Sequence, residues 1–121
     1  RPRRDQRDDI LAAILQQDII AMADCASVED AQHAINSGAQ IVGTTLSGYV
    51  GTNSAATDAP DLNLVQKFAT LGAFVMAEGR FNTPELAAQA LEHGANAVTV
   101  GSALTRLEVA TSWFVDAVER R

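Results

Sequence analysis

Cysteine occurs once in these 121 residues, at Cys25, so the chain has no internal disulfide. Two histidines beside one cysteine fall short of the four ligands of a structural zinc site. Positive charge is scarce as well. Nine Lys and Arg against fifteen Asp and Glu leave a formal net charge of −6. That is the wrong balance for a non-specific nucleic-acid binder, which displaces counterions with a basic face. No apolar run approaches the ~20 residues of a membrane-spanning helix, so no membrane partner is expected. No segment has the charged, apolar and small-residue order of a signal peptide. A reducing cytoplasm is the expected compartment. The first residue is Arg1 rather than methionine, and residues upstream are expected. What remains is a chain that is 47% hydrophobic and 20% charged. It is long enough for one cored domain and too short for two, so residues 1–121 read as a single domain.

Four short apolar runs stand out: Ile19-Ile20-Ala21-Met22-Ala23, Ala39-Gln40-Ile41-Val42-Gly43-Thr44, Ala73-Phe74-Val75-Met76-Ala77 and Ala95-Asn96-Ala97-Val98-Thr99-Val100. Little polar alternation interrupts them, as expected for strands buried on both faces of a parallel sheet. Around them lie stretches with apolar residues three and four apart, each forming one helix face. Ile10, Leu11, Ile14 and Leu15 precede the first run; Val28, Ala31 and Ile35 follow it. Leu62, Val65, Phe68 and Ala69, then Leu86, Ala87, Ala90 and Leu91, separate the later runs, and Val109, Trp113, Phe114 and Ala117 close the chain. Ser27 with Asp30, and Thr83 before Pro84, are helix-opening signals. Gly38, Gly72 and Gly94 suit left-handed helix C-caps. The predicted order is α-β-α-β-α-β-α-β-α, an α/β fold of four βα units with right-handed crossovers.

A repeat underlies this order. Residues 27–39 and 83–95 match at an offset of 56, with Ser27/Thr83, Glu29/Glu85, Ala31/Ala87, Ile35/Leu91, Gly38/Gly94 and Ala39/Ala95 in register. Four βα units with a two-unit repeat suit half of an eight-stranded βα barrel. A small doubly wound sheet is the alternative, and periodicity does not separate the two.

In either fold ligands bind beyond the carboxyl ends of the strands. Polar residues collect there: Asp24-Cys25-Ala26-Ser27, Thr44-Thr45-Leu46-Ser47-Gly48-Tyr49, Glu78-Gly79-Arg80-Phe81-Asn82 and Gly101-Ser102-Ala103-Leu104-Thr105-Arg106. Glu78, at the end of an apolar strand, is the general acid/base candidate, with a structural Glu78–Arg80 ion pair as the alternative. Asp24 holds the equivalent place in the first repeat, where a turn carboxylate is the alternative. Gly79-Arg80 and Gly101-Ser102 suggest an anion site, because glycine admits a ligand to backbone N–H groups and Arg80 and Arg106 add charge. Residues 47–60 form a loop long enough for a lid or a plain connection. Cys25 reads as a small residue at a strand mouth, His33 and His93 as surface residues, and Trp113 and Phe114 as core or interface anchors.

These rim segments resemble the N-acylglucosamine-6-phosphate 2-epimerase family, the N-acetylmannosamine-6-phosphate epimerases of sialic acid catabolism. The segments that carry the resemblance are Met22-Ala23-Asp24-Cys25-Ala26-Ser27, Gly43-Thr44-Thr45-Leu46-Ser47-Gly48-Tyr49, Ala77-Glu78-Gly79-Arg80-Phe81-Asn82-Thr83-Pro84 and Val100-Gly101-Ser102-Ala103-Leu104-Thr105-Arg106. The resemblance runs through the chain in order, and it implies the C-terminal half, strands five to eight, of a phosphate-binding (β/α)8 TIM barrel. It further implies a cofactor-free interconversion of N-acetylmannosamine 6-phosphate and N-acetylglucosamine 6-phosphate. Glu78 is then the catalytic carboxylate, Asp24 faces the sugar, Gly79, Arg80, Gly101 and Ser102 meet the phosphate, and Arg106 lies nearby.

The resemblance also marks departures. The family's second catalytic group, a lysine on its third strand, has no counterpart here, since Lys67 is the sole lysine and sits in a predicted helix. Val50 and Leu107 stand where the family commonly has Thr and Pro. The chain alone is therefore expected to bind phosphate weakly and turn over poorly. Its outer strands would be open edges, so self-association into a homo-oligomer is expected. Two other readings share these residues: a non-catalytic, self-associating half-barrel that binds sugar phosphates, and another phosphate-binding barrel isomerase.

Overall fold

A computed structural model describes residues 3–48 and 59–121. The elements are α1 (Arg4–Gln16), β1 (Met22–Asp24), α2 (Val28–Asn36), β2 (Ile41–Gly43), α3 (Leu62–Ala69), β3 (Phe74–Glu78), α4 (Pro84–Glu92), β4 (Ala97–Thr99), α5 (Ser102–Thr105) and α6 (Leu107–Glu119). The four-unit alternation is the predicted one, with the short α5 added before the last helix. Helix starts follow the local chemistry. Ser27 and Thr83 accept hydrogen bonds from the backbone N–H groups of Asp30 and Leu86, and Pro84 opens α4. At the end of α4, Gly94 has φ 102°, and a Cβ there would stand 2.6 Å from the Cβ of Ala69. Only glycine allows both this backbone and the close approach of α3.

The strand order β1-β2-β3-β4, all parallel, settles the architecture. A doubly wound sheet reverses its strand order at a switch point, whereas a barrel adds each strand beside the last. Here no reversal occurs. Among the described residues β1 and β4 each pair on one side only.

Side chains alternate between the two faces of the sheet. Val42, Val75 and Ala77 (each 0% exposed) meet the helices, where Ala31, Leu64, Val65, Phe68 and Ala90 complete the core. The other face carries layers set by register. Met22, Ile41 and Phe74 lie level, then Asp24, Gly43, Met76 and Ala97, then Glu78 and Thr99. Among the described residues nothing covers this face, so the expectation of strands buried on both faces is corrected: Met22 is 38% and Phe74 42% exposed. In a closed barrel the same positions fill the interior.

Two further expectations need correction. The first apolar run begins at Ile19, but β1 begins at Met22 and leaves Ile19 and Ile20 56% and 70% exposed. Pairing decides this, because the neighbouring strand starts at Ile41, opposite Met22, and nothing stands opposite the two isoleucines. His33 lies at the surface as expected, with its side chain 41% exposed. Its Nε2 lies 2.8 Å from Asp8 Oδ1 and ties α2 to α1, with Arg7 and Asp30 3.8 Å apart beside it. Phe114, 75% exposed, is not a core anchor, and α6 also exposes Leu107, Val115 and Val118.

Candidate active site

The carboxyl ends of the strands bring Asp24 and Glu78 together across β2. Gly43 lies between them in the sheet, and a Cβ there would come within 2.6 Å of Met22 Cε and 3.1 Å of Thr45 Oγ1. The missing side chain leaves room for Thr45, two residues further along, to reach both acids. Thr45 Oγ1 lies 2.9 Å from Asp24 Oδ1 and 2.9 Å from Glu78 Oε2.

The preceding residue aims Glu78. Thr44 is 2% exposed; its Oγ1 donates to the Glu78 carbonyl at 2.9 Å and accepts from the Glu78 N–H at 3.0 Å. Adjacent threonines thus divide the work, one holding the backbone of Glu78 and the other its carboxyl group. Thr44→Val should strip both backbone groups of their partner in a buried setting, at a cost of about 2–3 kcal/mol. Urea denaturation should show the lower midpoint, and Thr44→Ser should recover most of it. An unchanged midpoint for the valine variant would remove Thr44 from this role.

After Glu78 the chain turns through Gly79 (φ 103°) and Arg80 (φ 65°). A left-handed conformation costs a non-glycine residue about 1 kcal/mol, so the turn is strained beside the carboxylates. It carries the Arg80 side chain toward Gly48, where a Cβ would lie 2.8 Å from Arg80 Nη1. Gly101 precedes α5, Ser102 opens it, and Thr105 Oγ1 donates to the Gly101 carbonyl at 3.1 Å. Arg106 turns aside: its Nε donates to Glu108 Oε1 at 2.9 Å on the exposed start of α6. The structure therefore joins Asp24 and Glu78 directly through Thr45, and engages Arg106 elsewhere.

Thr45, which bonds both acids, is not singled out by the sequence pattern. It belongs to the second rim segment, but only its hydrogen bonds to Asp24 and Glu78 place it between the acids. Most of the loop read as a lid or connection, residues 49–58, lies outside the described residues. Its flanks are tied, since Ser47 Oγ donates to Asp61 Oδ2, and Asp61 caps α3 by accepting from the Leu64 N–H at 2.9 Å. Cys25 is 1% exposed with its Sγ 3.4 Å from the Ala23 carbonyl, as suits a small residue at a strand mouth. A cavity of about 610 Å³ between α1, β1 and α2 reaches Asp24. Of its charged lining, Arg7 stands 3.8 Å from Asp30 and Asp8 2.8 Å from His33, while Asp24 turns to Thr45. Among the described residues no group of three His, Cys, Asp or Glu side chains could hold a metal ion. No described helix is long and apolar enough to cross a membrane.

Consecutive parallel βα units added in chain order, with two carboxylates at their carboxyl ends, have the form of half of a (β/α)8 barrel. Residues 1–120 match the family described as "Putative N-acetylmannosamine-6-phosphate epimerase", and the chain belongs to that family. A relative from Vibrio cholerae serotype O1, named "Putative N-acetylmannosamine-6-phosphate 2-epimerase", is 55% identical over 119 residues, 98% of this chain and 49% of that protein. A "Bifunctional enzyme NanE/NanK" from Brucella melitensis biotype 1 is 48% identical over 111 residues, 92% of this chain and 21% of that protein. The solved N-acetylmannosamine-6-phosphate 2-epimerase of Clostridium perfringens superposes with a TM-score of 0.86 at 37% identity, covering 92% of this chain and 48% of that one. The chain spans about half the length of the Vibrio relative and of the Clostridium structure.

Proposed function

We propose that this chain supplies the proton-transfer carboxylate of an enzyme that interconverts N-acetylmannosamine 6-phosphate and N-acetylglucosamine 6-phosphate at C2. The observation that carries this reading is Glu78 at the end of β3, held by Thr44 and joined through Thr45 to Asp24 on the uncovered face. In the open-chain sugar the aldehyde acidifies the C2–H bond. Glu78 takes that proton, the electron pair moves onto the aldehyde oxygen as an enolate, and a proton returned to the opposite face inverts C2. Asp24 lies on the sugar side of the same pair. Backbone N–H groups at Gly79, Gly101 and Ser102, with Arg80, form the phosphate end, and Arg106 joins them by exchanging Glu108 for phosphate. The chemistry calls for no cofactor. Cytoplasmic location fits a phosphorylated substrate.

One base cannot serve both faces of C2. The second is a group outside these residues, as the family resemblance implies for its strand-three lysine; Lys67, the sole lysine here, is exposed on α3, on the helix side of the sheet. The test is proton NMR in D₂O with N-acetylmannosamine 6-phosphate. The chain is assayed alone and mixed with the part of the Vibrio cholerae relative that it does not match. Deuterium at C2 and the gluco epimer should appear in the mixture and be nearly absent with the chain alone. A mixture that associates but leaves C2 protonated would end the epimerase reading.

The uncovered face supports a second reading, a self-associating scaffold. Met22, Phe74 and the apolar residues of α6 are exposed beside two open strand edges. Light scattering of the chain at micromolar concentration should show dimers or larger species, by edge pairing or exchange of the Trp113 helix. A clean monomer would exclude self-association.

A further inference from the structure

We infer that Thr45 is a positioning residue that couples Glu78 to Asp24, so that a proton arriving on one carboxyl group is felt by the other. The geometry is two contacts of 2.9 Å from a single hydroxyl oxygen to two acids. A hydroxyl owns one hydrogen and so donates to one acid at a time, while its lone pairs can accept from the other. Its orientation is therefore decided by the charge difference between Glu78 and Asp24.

The consequence for the proposed reaction, on which this inference rests for its purpose, is a change in bonding between resting and intermediate states. While Glu78 is a carboxylate, it competes with Asp24 for the Thr45 hydrogen. Once Glu78 has taken the C2 proton it becomes a donor. Its O–H then points at Thr45 Oγ1, and the Thr45 hydrogen turns fully to Asp24. No bond to carbon is involved beyond the one already broken, and the proton count is unchanged. The chain of donors Glu78 to Thr45 to Asp24 is complete only after proton abstraction. It therefore stabilises the intermediate more than the resting site, which is the condition for assisting a reaction. Gly43 eases the approach of Thr45, since a Cβ there would stand 3.1 Å from Thr45 Oγ1, a tight contact, and 3.6 Å from Asp24 Oδ1, an ordinary one.

A merely structural threonine would pack or cap without transmitting charge, and the test separates the two. Carbon-detected NMR of the 121-residue chain at pH 7 reads the side-chain carboxyl resonance of Asp24 before and after Glu78→Gln. Glutamine is a weaker, neutral acceptor, so the Thr45 hydrogen commits to Asp24 and that resonance should move. In a Thr45→Val background, which keeps the shape and removes the hydroxyl, the response should be lost. Thr45→Ser should retain it. Backbone amide spectra confirm that each variant keeps the fold. An Asp24 response of equal size in the valine background would mean that charge acts through space, and would overturn the coupling. The readout involves no substrate, so a failed epimerisation assay defeats the proposed function while leaving this result to stand or fall alone.

Discussion

Glu78→Gln should lower C2 deuterium incorporation by the mixed assembly by about 10²–10⁴-fold, the usual contribution of a positioned acid/base group. The substitution keeps the shape and the contact to Thr45 but removes the site that takes a proton. Because Thr44 bonds the backbone of residue 78 rather than its side chain, the substituted amide should sit where the Glu78 carboxylate sits. Lost activity could then not be ascribed to a displaced strand. Glu78→Asp should give an intermediate result, since the carboxylate survives but is withdrawn by one methylene from both Thr45 and C2. A misplacement of this order is enough to cost ~10²-fold. If Glu78→Gln left exchange within a few-fold of the parent, the base would have to be another group, and Asp24 would be the next to replace.

Phe68→Ala should remove much of the stability of the chain. Phe68 is 0% exposed and sits on α3 among Val65, Leu64 and the helix-facing strand residues Val42 and Val75. Truncating a buried phenylalanine costs about 3–5 kcal/mol, from lost transfer energy and the cavity left behind. Typical domains hold about 5–15 kcal/mol in total. This one should stand toward the lower end, because among the described residues its sheet is covered on one face only and Met22 and Phe74 remain exposed. The same change at Phe114, 75% exposed on α6, should alter stability by less than about 0.5 kcal/mol. Urea denaturation followed by circular dichroism compares the two directly. Equal midpoints for the two variants would mean that the core does not lie between α3 and the sheet.

How much of this is readable beforehand depends on how local each feature is. The helix starts at Ser27 and Thr83 and the glycine ends at Gly38 and Gly94 depend on a few neighbouring residues, and the structure has them where the pattern predicts. The strands come out in order but displaced, most at β1, because a strand begins where it has a partner. Glu78 and Asp24 are legible as a pair by their equivalent places in the repeat.

The amino-acid order alone therefore determined the alternation of helices and strands, the rim on which polar residues gather, and the family to which those motifs point. These are properties of near neighbours along the chain and of side-chain periodicity. Only the tertiary structure decided between barrel and open sheet, through the strand order β1-β2-β3-β4. It alone revealed Thr45 between the acids and turned Arg106 to Glu108. For the sheet and the acid pair the physical reason is the same: register and strand order bring together residues 21 to 33 positions apart, as Thr45 is from Asp24 and Glu78, and no local pattern encodes that alignment.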